Sequence, residues 1–193
     1  DRMPSRGLGD VYKRQLFNTA GEKINDIASV ANQLNFLKNG NKVSFVKNRN
    51  INYTNQCYYK CGFCGFSKGP KSFNRKEKPY SIDIQEVVDR TTEAFEMGAS
   101  EVCLQGGIHP DYTGEFYLNM VKEIKLTTPD MHIHGFTPLE IWQGAETINL
   151  SIEEYLKLLL DAGLNTLPGT AAEILDDSCL LYTSPSPRDG ILS

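Results

Sequence analysis

Apolar residues at helical spacing predict four helices along this chain, and cap and stop residues mark their ends. The predicted helices cover residues 22–37, the segment from the cap Asp83 to Gly98, residues 115–126, and the segment from the cap Ser151 to Gly163. Asp83 and Ser151 are each followed three residues later by glutamate, which is the spacing of a capping box. Residues 171–177 predict the start of a further helix.

Shorter apolar or alternating segments predict strands between these helices. They cover residues 43–46, 49–55, 101–104, 131–134 and 164–167. From residue 49 onward, strand and helix alternate about four times, which predicts an α/β fold of parallel strands with right-handed crossovers. A closed eightfold barrel needs about 250 residues, so we expect a partial β/α barrel with roughly its first four units.

The DNA sequences that could encode the two ends of the chain indicate that these ends have a different origin from the rest of the protein. Codons can be chosen so that residues 10–15 and 179–184 are encoded by opposite strands of one DNA sequence, and the match continues outward on both sides. This inverted repeat resembles a translated adapter from DNA library preparation. We therefore divide the chain into adapter sequence (1–15), an N-terminal helix and short strand (16–48), a truncated barrel (49–178) and adapter sequence again (179–193).

Composition and charge narrow the class of protein. The chain has 193 residues, of which 40% are hydrophobic and 23% charged, as in ordinary globular domains. A net charge of -4 argues against nonspecific nucleic-acid binding, and no apolar run approaches the roughly 20 residues that span a bilayer. The N-terminus has no signal-peptide pattern, and five cysteines do not suit a disulfide framework. We expect a cytoplasmic protein without nucleic-acid or membrane partners.

Three cysteines carry the strongest chemical signal. Cys57, Cys61 and Cys64 have the spacing C-x3-C-x2-C directly after the strand predicted at residues 49–55. Cysteine thiolates hold iron–sulfur clusters, and a [4Fe-4S] cluster normally takes four of them. Three thiolates leave one iron open to a small molecule that binds through an amine and a carboxylate. A loop after a parallel strand lies at the carboxyl edge of the sheet, where barrel active sites are found.

A structural zinc site in a binding module is the alternative interpretation. Zinc sites close with four cysteine or histidine ligands, often as two Cys-x-x-Cys pairs. This sequence has no second pair, so His109, His132 or His134 would have to supply the fourth ligand from a distant strand. The spacing therefore favours the iron–sulfur interpretation.

The cysteine motif resembles that of the radical S-adenosylmethionine (SAM) superfamily, in which the open iron of a [4Fe-4S] cluster binds SAM. The resemblance implies that Gly106 and Gly107, after the second barrel strand, receive the amino group of SAM. The superfamily often has an acidic residue directly after this pair, where this chain has Ile108. We also expect Phe63 to shield the cluster from water, and Glu173 to bind the SAM ribose or a substrate amine.

Residues 48–57, 103–111 and 167–175 resemble the family of 5-amino-6-(D-ribitylamino)uracil–L-tyrosine 4-hydroxyphenyl transferases, the tyrosine-using component of deazaflavin (F0) synthase. The resemblance implies L-tyrosine and the ribitylaminouracil as substrates, an electron donor, and a second radical SAM component, separate or fused. A chain of about four strands is expected to be inactive alone. Radical SAM enzymes of the menaquinone (futalosine) pathway are the alternative, but they usually have glycines where this chain has Thr170 and Ala171.

Several other polar residues are candidates for the site, and no catalytic residue is assigned. His109 would either position substrate or stabilise a turn. His134, if it faces inward, would take part in proton transfer near pH 7, and otherwise it is a hydrogen-bonded core histidine. Asn52 and Thr54 are polar positions in a strand expected to be buried, so we expect them to line the site. Cys103 is expected to pack as a small apolar residue.

Overall fold

The computed structural model describes residues 6–59, 64–67 and 78–169 of the chain. Two compact units are present, Asp1–Phe45 and Val46–Ser193. In the first unit, helix α1 spans Arg6–Phe17 and helix α2 spans Lys23–Asn39. Helix α2 confirms the helix predicted at residues 22–37, although it buries none of its side chains.

The short strand predicted at residues 43–46 is wrong. This segment has no regular structure, and the side chains of Val43 and Phe45 are 91% and 87% exposed. A strand is stable when its N–H and C=O groups pair with a neighbouring strand. Residues 43–46 do not pair with any described part of the chain. Their β-branched and aromatic side chains are therefore not enough to form a strand.

Three parallel strands form the sheet of the second unit. They are β1 (Asn48–Asn52), β2 (Glu101–Gln105) and β3 (His132–Gly135), in the order β1-β2-β3. In the register of the sheet, Asn50 lies beside Cys103, and Cys103 lies beside His134. The strand predicted at residues 164–167 is reduced to one parallel bridge between Thr166 and His134. The parallel order confirms the predicted α/β class.

Four helices accompany the sheet: α3 (Ile84–Glu96), α4 (Gly114–Thr127), α5 (Pro138–Thr147) and α6 (Ile152–Ala162). The side chain of Asp83 accepts a hydrogen bond from the N–H of Glu86, and Ser151 forms a reciprocal capping box in α6. Helix α5 was not predicted. It begins with a capping box formed by Thr137 and Glu140. Across the described residues, no helix is long and apolar enough to cross a membrane.

The helices cover one face of the sheet and leave the other face polar. Ile51, Val102, Leu104 and Ile133 point toward the helices and are at most 1% exposed. Burial of such a side chain contributes about 1.5–3 kcal/mol. Successive residues of a strand point to opposite faces. The alternate residues therefore form a surface, here called the polar face, that consists of Asn50, Asn52, Glu101, Cys103, Gln105, His132, His134 and the neighbouring Thr166.

Helices α4 and α5 approach closely at Gly114, and this contact gives a test of the fold. Gly114→Ala is expected to destabilise the protein by about 1–3 kcal/mol, since the added Cβ would lie 2.4 Å from the carbonyl oxygen of Gly144. The matched control is Gly135→Ala, another buried glycine whose added Cβ would have its nearest neighbours at 3.4 Å. Urea unfolding of both variants measures the difference. Equal losses would contradict the close approach.

Candidate functional site

After β1, residues 53–57 form a segment, here called the arm, that ends at Cys57, the first cysteine of the motif. The hydroxyl of Thr54 donates to the carbonyl of Tyr80 at 2.8 Å and pairs with the hydroxyl of Ser81 at 2.8 Å. The side chain of Asn55 donates to the carbonyl of Lys78 at 3.0 Å and accepts from the N–H of Tyr80 at 2.8 Å. Thr54 and Asn55 are buried, so both residues anchor the arm.

The structure describes two of the three predicted cluster ligands. Cys57 and Cys64 are half-buried free thiols. Cys61 and Phe63 lie outside the described residues, as does Glu173. Among the described residues, no three metal-ligating side chains come together. The three-thiolate set therefore stays a prediction.

The turn Gly106–Gly107, at the carboxyl end of β2, packs directly against the arm. A Cβ on Gly106 would lie 2.4 Å from the ring of Tyr53, and a Cβ on Gly107 would lie 2.3 Å from the carbonyl oxygen of Gln56. The Cβ of Cys57 would be only 3.0 Å from the same added atom on Gly107. Both positions therefore require glycine, and the turn lies beside the first cysteine.

Both N–H groups of the turn are occupied by protein acceptors. The N–H of Gly106 donates to the Glu140 carboxylate at 3.2 Å, and that of Gly107 donates to the carbonyl of Thr54 at 2.9 Å. Within the described part of the chain, nothing donates to the carbonyl oxygens of Gly106 and Gly107. The turn thus offers hydrogen-bond acceptors, which suits a ligand group that donates, such as an ammonium.

Glu140 is a buried acid that sequence analysis missed. Its carboxyl group accepts hydrogen bonds from the Tyr53 hydroxyl, from the N–H of Gly106, and from the N–H of Thr137 at 2.7 Å. Burial raises the pKa of Glu140 to about 8, although the N–H groups of Thr137 and Gly106 act to lower it. The segment Thr137-Pro138-Leu139-Glu140 carries a capping-box signal, with proline at the first helical position, that would have indicated the helix.

His109 stabilises the loop between β2 and α4. Its Nδ1 accepts from the N–H of Asp111 at 3.2 Å, and its ring stacks on Tyr112 with centroids 4.4 Å apart. The Gln143 side chain donates to the carbonyl of His109 at 3.1 Å. These contacts correspond to the turn role considered for His109. Any catalytic role remains a prediction.

His134 and His132 share one hydrogen-bond partner on the polar face. The hydroxyl of Thr166 lies 2.7 Å from Nδ1 of His134 and 2.9 Å from Nε2 of His132. Cys103 lies on the same face, half-buried, and burial raises the pKa of its thiol, with Glu101 adding to the effect. Cys103 is therefore a thiol near neutral pH. It was expected to pack as a small apolar residue, but it lies on the polar face beside Asn50 and His134 and accepts a hydrogen bond from Gln105.

The structure thus brings together the cysteine arm, the glycine turn and the end of the polar face. Candidate residues grouped at the carboxyl edge of a parallel sheet are the arrangement found in enzymes of the β/α-barrel class. The sequence pattern of the radical SAM superfamily matches residues 51–185. The match covers more than half of the chain, which therefore belongs to the radical SAM superfamily. Membership implies SAM and an iron–sulfur cluster as cofactors.

Relatives with more specific names match most of the chain. It is 43% identical over 177 residues to an FO synthase of Nocardia farcinica, and the match covers 92% of the chain and 20% of that protein. It is 36% identical over 171 residues to the 5-amino-6-(D-ribitylamino)uracil–L-tyrosine 4-hydroxyphenyl transferase of Methanothermobacter thermautotrophicus, covering 89% of the chain and 46% of the relative. The chain thus spans between a fifth and a half of the length of these curated relatives.

A solved structure has the same fold. The crystal structure of HydG, a maturase of the [FeFe]-hydrogenase, matches with a TM-score of 0.62 at 18% sequence identity. The match covers 89% of this chain and 35% of HydG. At that identity, the similarity concerns the fold, and it confirms the predicted β/α architecture.

The raised pKa of Glu140 predicts a pH dependence of stability. Its ordinary pKa is 4.5, so between about pH 4.5 and pH 8 the folded state holds a proton that the unfolded chain releases. The contribution of Glu140 is therefore complete below the lower value and is lost as the pH rises to about 8. Glu140→Gln cannot ionise and is expected to flatten this fall, whose slope is at most about 1.4 kcal/mol per pH unit for one group.

Anaerobic urea unfolding of parent and variant at a series of pH values across this range measures the slope. Glu154→Gln is the matched control, because Glu154 is exposed, has a pKa lowered by its hydrogen bonds to Ser151, and stays ionised across the range. Parallel pH profiles for the parent and Glu140→Gln would contradict the role assigned to the buried carboxyl group.

Proposed function

We propose that the protein carrying this chain is a radical SAM transferase that joins the 4-hydroxybenzyl group of L-tyrosine to 5-amino-6-(D-ribitylamino)uracil in deazaflavin (F0) biosynthesis. The contact of the Gly106–Gly107 turn with the arm that ends at Cys57 carries the proposal. Its specific support is the similarity to FO synthases and to the tyrosine transferase over about nine tenths of the chain. The proposal includes a second radical SAM component and an electron donor as partners.

The residues that are present fit the cofactors. Cys57, Cys61 and Cys64 would hold a [4Fe-4S] cluster and leave one iron open. The carbonyl groups of the glycine turn, to which no described residue donates, suit the amino group of SAM, which can only donate. When bound, the cluster and SAM supply one-electron radical chemistry. Phe63 is proposed to exclude water from the cluster, and Glu173 to bind the ribose of SAM.

The polar face supports a substrate rich in hydrogen-bonding groups. Asn50 and Asn52 on β1 and Gln105 on β2 present amide donors and acceptors beside the carboxyl edge. Asn50 donates to Asn52 at 3.3 Å and Gln105 donates to the Cys103 thiol at 3.5 Å, and each amide keeps further donors or acceptors. A ribityl chain and a uracil ring would pair with these remaining groups, whereas an apolar substrate would leave them unpaired at a cost of about 1–3 kcal/mol each. His134 is proposed to move a proton through Nε2, because Thr166 already engages its Nδ1.

The full-length protein that carries this chain provides the direct test. It is reconstituted with iron and sulfide without oxygen, reduced with dithionite, and given SAM, L-tyrosine and the ribitylaminouracil. Mass spectrometry is expected to find a 4-hydroxybenzyl-uracil adduct together with 5'-deoxyadenosine. Deoxyadenosine without the adduct would contradict the substrate assignment. Neither product, from protein that carries its cluster, would contradict the enzymatic function as a whole.

The cluster assignment predicts a loss of iron and sulfide in Cys57→Ala. This variant removes one of three thiolates and is expected to lose most of the iron, most of the sulfide and the EPR signal of the reduced cluster. Cys103→Ala is the control, because Cys103 lies on the sheet and outside the motif. Retention of iron and sulfide by Cys57→Ala would remove Cys57 from the ligand set. Colourless parent protein with about one zinc and no sulfide would favour the zinc alternative.

A further inference from the structure

We propose that Glu140 is a positioning residue for SAM, whose buried carboxyl group anchors the Gly106–Gly107 turn and so helps to keep the Gly106 carbonyl in place for the cofactor. The inference rests on the proposed function, because it takes the turn as the place where the amino group of SAM binds. It concerns a residue that lies outside both sequence motifs, on a helix that the hydrophobic pattern did not predict.

Three residues of α5 hold the loop between β2 and α4. Glu140 accepts from the N–H of Gly106 at 3.2 Å, at the beginning of the loop. Gln143 donates to two carbonyl groups in the middle of the loop, at 3.1 and 3.4 Å. The hydroxyl of Thr147 accepts from the N–H of Gly114, at the end of the loop, at 2.9 Å. Their spacing of three and four residues places all three on one face of α5.

Glu140 and Tyr53 together confine Gly106. The Tyr53 ring is the group that a side chain at Gly106 would strike, and the Tyr53 hydroxyl donates to the same carboxylate oxygen as the N–H of Gly106. Both side chains are 0% exposed. A buried N–H without an acceptor costs about 1–3 kcal/mol, so this pair opposes any rotation that turns the N–H of Gly106 away.

Helix capping alone does not account for the contacts of Glu140. The capping box uses one carboxylate oxygen, Oε2, which accepts from the N–H of Thr137. Glu154 occupies the equivalent position in the capping box of α6 and does so as an exposed residue. A carboxyl group needs no burial to cap a helix, and burial is unfavourable unless hydrogen bonds compensate. The second oxygen of Glu140 serves the turn and Tyr53 instead.

The two N–H bonds of the turn fix its two peptide planes, since a trans peptide is planar and its C=O points away from its N–H. Glu140 sets the plane between Gln105 and Gly106, and the carbonyl of Thr54 sets the plane between Gly106 and Gly107. The carbonyl of Gly106 belongs to the second plane, which joins the first at the Cα of Gly106. Release of the first plane would therefore leave the turn held at Gly106 by only one of these two hydrogen bonds, and the Gly106 carbonyl would be less firmly fixed. Loss of the acceptor at residue 140 is therefore expected to weaken SAM binding without removing iron.

Three variants of the full-length protein that carries this chain separate positioning from capping. Glu140→Met removes every acceptor at similar length, Glu140→Gln retains one acceptor, and Glu154→Met is the matched control at the exposed capping box. The parent and each variant are loaded with iron and sulfide, reduced with dithionite, and titrated with SAM while the EPR spectrum of the cluster is followed. Glu140→Met is expected to raise the Kd for SAM about tenfold. Glu140→Gln is expected to stay within about threefold of the parent, and Glu154→Met to bind as the parent does, at equal iron content.

Any other outcome contradicts either the positioning role of Glu140 or the proposed function. If loaded parent and Glu140→Met bind SAM equally, or if Glu154→Met weakens binding as much as Glu140→Met, the positioning role is overturned and the proposed function stands. If loaded parent does not bind SAM, the proposed function fails, and the positioning role fails with it. Hydrogen exchange of the parent protein tests the positioning role without any variant. The Gly106 amide is expected to exchange at least about 100-fold more slowly than an unprotected amide, and unprotected exchange would overturn the proposal even if Glu140→Met does not fold.

Discussion

Steric exclusion between two backbone segments governs the candidate site. The carbonyl of Gln56 lies where a side chain on Gly107 would have to go, so only glycine lets the arm and the turn come this close. The sheet makes the contact unavoidable, because β1 and β2 are parallel neighbours with Asn52 beside Gln105, and both chains leave the sheet at the same edge. The bond from the N–H of Gly107 to the carbonyl of Thr54 extends this pairing beyond the strands.

Helix α5 connects this edge to the core. Its first turn carries Glu140, and Phe136, just before the helix, has a left-handed φ of 66°. A non-glycine residue in this region is strained, and such strain persists where the surrounding structure compensates for it. Phe136 is fully buried, and its ring packs edge-on against Tyr117 with centroids 5.0 Å apart. The apolar core thus stabilises the bend that directs α5, and α5 in turn holds the loop after β2.

Local patterns predicted much of the fold and less of the site. The helices α3, α4 and α6 and the positions of the three strands along the chain were confirmed, because each depends on a pattern of residues close together in sequence. Gly106 and Tyr53, the two partners of Glu140 outside its capping box, are in contrast 34 and 87 residues away, so no spacing in the sequence indicates these buried hydrogen bonds. The requirement for glycine at residue 107 likewise depends on Gln56 in another strand connection. Thr54, expected to line the site, is used to anchor the arm.

Helix α5 is hydrogen-bonded to both ends of the loop after β2, and these bonds limit the length that the loop can have in related proteins. Because Gly106 and Gly114 are each bonded to the same rigid helix, the distance that the loop must span is set by the separation of Glu140 and Thr147. An insertion would have to bulge outward or release one end, whereas exchanges of side chains on the polar face leave the backbone unchanged. Relatives with other substrates are therefore expected to differ in the polar face more than in the length of this loop.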